Sequence, residues 1–140
     1  MIANPSGVET LQVEWQGVIR MRERIQHLVL STFAFDISRS PAFGDVLYNL
    51  PFLLAFDVLK QALLQAWAAG LIPGSGQRLA DLIENSKSSL PWMDWDGLHA
   101  AVKRRNEVVQ DGKLYGDAQC LEDISAIEAQ LAAWAVIEAV

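Results

Sequence analysis

Apolar residues recur at helical spacing through most of this chain. Ser6-Gly7-Val8-Glu9 has the spacing of a capping box, in which Ser6 accepts from the Glu9 amide and Glu9 reaches back. Leu11, Trp15, Val18, Ile25, Val29 and Thr32 then follow at intervals of three and four, with Arg22 standing in the gap. The spacing predicts one long amphipathic helix to about Phe35. His27 falls within it, with no second His or Cys at ligand spacing, so it reads as a packed or surface residue. Residues 36–49 carry Ser38, Ser40-Pro41 and Gly44-Asp45 and read as a loop with room for a short helical turn. Pro51 suits the first turn of a second helix. Phe52, Leu53, Phe56, Leu59, Leu63, Leu64 and Trp67 give that helix a broad apolar face, and Gly70 closes it. Apolar over so much of its circumference, it belongs at the centre of a bundle.

Leu71-Ile72-Pro73-Gly74-Ser75-Gly76 reads as a turn. It lacks the Gly-x4-Gly-Lys-Ser/Thr layout and the preceding strand of a phosphate loop. A short third helix is predicted from Gln77 to about Lys87, with Leu79, Leu82 and Ile83 inward. In Trp92-Met93-Asp94-Trp95, Asp94 is the predicted N-cap of the next helix. The two Trp staple that entry to the core; a base-stacking platform is disfavoured by the acids Asp94 and Asp96. The next helix runs from about Trp95 to Gln110, with Leu98, Ala101, Val102, Val108 and Val109 as its apolar positions and Gly112 as its stop. After a loop at 111–116, Asp117 can cap the last helix. Its seam of Cys120, Ile124, Ile127, Leu131, Trp134 and Ile137 repeats at four, three, four, three and three. Cys120 on that seam reads as a buried, inert thiol. Ala126, Ala129, Ala132 and Ala133 offer close helix approach. The pattern predicts an all-α, mostly antiparallel bundle of four main helices plus a short extra one, a single domain over residues 1–140.

Composition adds limits. Hydrophobic residues are 51% and charged residues 20%, which places the chain among folded proteins. The mean hydropathy of +0.17, with five Trp, fits both a large Ala- and Leu-rich core and apolar surface covered by a partner. The net charge of -6 repels nucleic acid, so a nucleic-acid role needs a local cationic patch. Two segments offer one: Arg20-Met21-Arg22-Glu23-Arg24 and Lys103-Arg104-Arg105. A single Cys excludes an intrachain disulfide and fits a reducing compartment. The start, Met1-Ile2-Ala3-Asn4-Pro5, lacks a signal-peptide layout, and no apolar run is long enough to span a membrane, so a cytoplasmic location is expected. No metal-ligand constellation or cofactor motif is present.

The densest basic spot is Lys103-Arg104-Arg105-Asn106-Glu107-Val108-Val109-Gln110-Asp111-Gly112. Cations in the last turns of a helix suit the negative end of its dipole. The order of residues also resembles the Arg-x(4–6)-His motif of the HEPN superfamily, helical and usually dimeric proteins that include many metal-independent endoribonucleases. The segment from Leu98 to Ile137, a helix bearing the motif, a Gly-containing loop and a long helix, looks like the C-terminal part of such a domain. Arg105 falls at the family's Arg, Asn106 at its common polar neighbour, and Gln110 where the His should be. The resemblance implies a homodimer whose motifs meet at a cleft, and attack of an RNA 2′-hydroxyl on its own phosphodiester. A cognate antitoxin also belongs to the expected partners. Arg105 would bind the phosphate and steady its growing charge, aided by Lys103 and Arg104. Arg105, Asn106 and Gln110 are the catalytic positions the resemblance implies. Gln110 departs from it, because an amide does not shuttle a proton near neutral pH.

Three readings follow: an active ribonuclease or toxin; a degenerate HEPN-like protein that binds RNA or phosphate; and a non-enzymatic, homodimeric helical module whose arginines cap a helix or pair with acids. His99, six residues before Arg105 and seven before Asn106, stands about 10 Å lower on the latter's face by a rise of roughly 1.5 Å per residue, too far to replace the missing His within one chain. Tyr115 reads as a packing or loop residue.

Overall fold

The computed structural model describes residues 5–35 and 46–138, with side chains placed for residues 6–28 and 46–138. Among these residues there are five helices and no strand: α1 (Pro5–Phe35), α2 (Asn49–Ala68), α3 (Leu79–Asn85), α4 (Trp95–Asp111) and α5 (Asp117–Ala133). The predicted loop at 36–49 lies mostly outside the described residues, as do the side chains of Val29 and Thr32.

The central position expected for α2 is observed. It packs against each of the other four helices, and Phe52, Phe56, Leu59 and Leu63 are fully enclosed. Phe52 and Phe56 meet edge-on at 5.0 Å, a favoured aromatic geometry. From α1, Leu11, Trp15, Val18 and Ile25 enter the same core, and from α5, Cys120, Ile124, Ile127 and Leu131. Leu79, Leu82 and Ile83 of α3 point inward, as their spacing predicts.

Four details differ from the sequence pattern. Asp117 is the first residue of the last helix and not its cap, a position taken by Gly116 without a side-chain bond. The first helix already includes Pro5, which suits a first turn, so Ser6 lies inside the helix and is not its N-cap. Val109 is 56% exposed, because Val108, one residue earlier, already occupies the inward side of α4. The last helix stops at Ala133, although its seam continues to Ile137. There the chain turns through Ala135 at φ 58°, Val136 N–H reaches back to the Leu131 carbonyl at 2.9 Å, and Trp134, Val136 and Ile137 are folded into the core. The end of α4 uses the same device with a residue better suited to it: Gly112 has φ 68°, and Lys113 N–H bonds the Glu107 carbonyl at 3.3 Å.

Both connections next to α4 are pinned by buried amides. At its N-terminus, Asp94 accepts from Gly97 N–H at 3.0 Å, the predicted cap. Gln130, buried on α5, accepts from Met93 N–H at 2.9 Å, and Trp134 Nε1 donates to the Pro91 carbonyl at 3.0 Å. Trp92 and Trp95 are core staples: their indole N–H groups donate to the Ser86 and Ile83 carbonyls, each at 3.0 Å, and Trp92 packs edge-on against Trp134. After α4, buried Asn49 grips the backbone of Tyr115 from both sides, donating to its carbonyl at 2.8 Å and accepting from its N–H at 3.1 Å.

Candidate functional site

The basic run occupies the last turns of α4, and neighbouring residues there have different tasks. Arg104 turns toward α5. Its Nε and Nη2 donate to the two oxygens of Asp123 at 2.8 and 2.7 Å, a bidentate pair. The Asp123 side chain is 4% exposed and that of Arg104 25%. Gln119 adds a third hydrogen bond to Asp123 at 3.2 Å. The bonds to Asp123 also hold the guanidinium's pKa above its ordinary value, against the opposing effect of burial. Arg104 is thus committed to joining α4 to α5.

Arg105 is placed differently. It is half-buried, and its Nη1 donates to the Asn106 side-chain oxygen at 3.0 Å. It forms no ion pair among the described residues. The nearest acid along the chain, Glu107, is occupied: Tyr115 Oη donates to it, and Lys113 Nζ lies 3.2 Å from it. The Tyr115 hydrogen bond, then Lys113, hold the Glu107 carboxyl below its usual range. Tyr115 is therefore a packing and loop residue, as expected. Asp123 is bound to Arg104 and Glu107 to Tyr115 and Lys113, and no carboxylate pairs with Arg105 among the described residues.

Lys103 is exposed and forms no ion pair among the described residues. Gln110 is also exposed. It stands four residues after Asn106, which puts the two on one face of α4. Arg105 and Asn106 are joined by one hydrogen bond, while Gln110 forms none with either among the described residues and exposed Val109 stands four residues after Arg105. The Arg105–Asn106 pair can present a cation and an amide to an anion. It contains no group that titrates near neutral pH. His99 does not join it: its ring stacks on Trp95 at 4.5 Å and its Nε2 lies 2.8 Å from a Glu84 oxygen.

The sequence reading missed Asp123, although the signal was present. Residues 123 and 130 fall at seam spacing with Cys120 and Ile127, and both are buried. A carboxylate on an apolar seam demands a partner, and Arg104 provides it. Cys120 is enclosed as predicted, and burial pushes its thiol up to about 12. No group of three or more potential metal-ligating side chains occurs among the described residues, and none of their helices is long and apolar enough to cross a membrane.

Comparison with protein-family models, with curated proteins and with solved structures gives no match for this chain.

Proposed function

We propose that this chain is a HEPN-like RNA- or phosphate-binding protein with weak or no catalysis, in which Arg105 contacts a phosphate. The observation that carries this reading is a half-buried guanidinium with a side-chain amide to orient it and no carboxylate partner among the described residues. An unneutralised cation on an acidic protein is suited to an external anion. Lys103 adds a flexible charge beside it. Arg104 contributes to the site only by holding α4 in place, so the phosphate-binding set narrows to Lys103 and Arg105.

Catalysis is expected to be poor for a chemical reason. Attack of a 2′-hydroxyl requires its proton to be removed and the leaving oxygen to be protonated. Gln110 can hydrogen-bond to either oxygen but can carry out neither transfer. General acid–base help contributes about 10²- to 10⁴-fold in rate. Gln110→His should therefore raise cleavage of a labelled single-stranded RNA by about 10²-fold or more if the scaffold is otherwise arranged for it. Binding of the same RNA by the unaltered protein, followed by fluorescence anisotropy, should weaken as salt rises. No binding at low salt would overturn the reading. The alternative, a non-enzymatic homodimeric helical module, is favoured by the apolar side chains of Val13, Leu28, Leu50 and Leu54 on the surface.

A further inference from the structure

We infer that two copies of this chain associate through α1, antiparallel, with their Gly17 residues meeting at the two-fold axis. The inference names a surface for self-association and does not rest on the Arg105 reading: α4 packs on α2, α3 and α5, while α1 packs chiefly on α2.

The first observation is Gly17 itself. It sits in the middle of a 31-residue helix, exposed, and a side chain added there would meet nothing within 4 Å. Glycine in a helix interior costs about 1 kcal/mol relative to alanine. Packing among the described residues gives no reason for it. A second backbone crossing at that point does, because glycine, with no side chain, lets two helices approach most closely.

The second observation is what surrounds it. Val13, four residues before, is 69% exposed, and Leu28 is 51% exposed. Beside Gly17 runs a groove of about 470 Å³, floored by Met21, Ile25, Leu28 and Leu50 and edged by Arg20 and Arg24. A partner's Val13 is an apolar group of suitable size to enter it.

The third observation is charge, and it selects a second copy as the occupant. From Ser6 to Gly17, α1 carries Glu9 and Glu14 and no base; from Val18 to Leu28 it carries Arg20, Arg22 and Arg24 against Glu23 alone. Glu9, Glu14, Arg20 and Arg24 are exposed and form no ion pair among the described residues. In an antiparallel pair centred on Gly17, residues equally far before and after it face one another. Glu14 then meets Arg20, Val13 meets Met21, and Thr10 meets Arg24 with Glu9 one residue beyond it, each contact occurring twice as two-fold symmetry requires. A parallel pair would set Glu14 on Glu14 and Arg20 on Arg20, and like charges opposed in this way are penalised.

The test is cysteine cross-linking of the full chain. Gly17→Cys should form a covalent dimer in high yield under mild oxidation, since a disulfide requires Cα atoms roughly 4.4–6.8 Å apart. Gln26→Cys on the same helix should not, because antiparallel pairing separates two such residues by about 27 Å at roughly 1.5 Å per residue. Native Cys120, buried and with its thiol at about 12, stays out of the reaction. In parallel, light scattering should show that Arg20→Glu weakens the dimer at least tenfold and that adding Glu14→Arg restores it. A monomeric unaltered protein at tens of micromolar would overturn the inference. So would equal cross-linking at both positions, or a dimer indifferent to Arg20→Glu, which would place association on another face. None of these outcomes depends on whether RNA binds.

Discussion

Arg104→Ala should destabilise the protein by about 3–5 kcal/mol in urea denaturation, the range found when one partner of a buried ion pair is removed. Asp123 is the reason. Its side chain is 4% exposed and receives two hydrogen bonds from Arg104 and one from Gln119. Without the guanidinium, a carboxylate remains in a seam otherwise made of Cys120, Ile124 and Ile127. The loss measures that stranded charge, not the net worth of the pair. Replacing both partners together, Arg104→Met with Asp123→Leu, should cost much less than Arg104→Ala, because nothing charged is left behind. A loss below about 1 kcal/mol for Arg104→Ala would mean that the pair behaves like a surface bridge. α4 would then need another explanation for its seating on α5.

Arg105→Ala should do the opposite. Stability should change by no more than about 0.5 kcal/mol, because removing this half-buried side chain strands no buried charge among the described residues. Affinity for single-stranded RNA should fall at least tenfold, since hydrogen bonds to charged groups contribute about 1.5–3 kcal/mol. The contrast between adjacent arginines follows from the carboxylates near them: Asp123 neutralises one, while Glu107 bonds Tyr115 and Lys113 and forms no ion pair with the other. Lys103→Ala should weaken binding less, because a flexible ammonium adds charge without a fixed fork of donors. If Arg105→Ala lowers stability and leaves affinity unchanged, Arg105 is a second structural arginine and the phosphate reading falls.

The helices were legible because their apolar positions repeat with a helical period, and that period survives wherever a face is buried. Phe52, Phe56, Leu59 and Leu63 on α2 and Cys120, Ile124, Ile127 and Leu131 on α5 are inward as their spacing requires. Less legible were features set by neighbours distant in the chain. Arg104 and Asp123 are 19 residues apart and Asn49 and Tyr115 are 66 apart, and spacing within one helix does not reveal either meeting. Val109 and Ile137 show the limit at helix ends, where one step of about 100° or one left-handed residue decides which side chain reaches the core. The basic run stood out in the sequence as a unit. The fold divides it, giving Arg104 an internal partner and leaving Arg105 without an acid among the described residues.

The most direct measurement of that division is NMR observation of the arginine Nε–Hε signals as a short single-stranded RNA is added to the full chain. The signal of Arg105 should shift progressively with RNA and saturate, while that of Arg104, bound to Asp123, stays in place. An Arg105 signal that does not move while RNA binds, or one that moves no more than Arg104, would contradict the account.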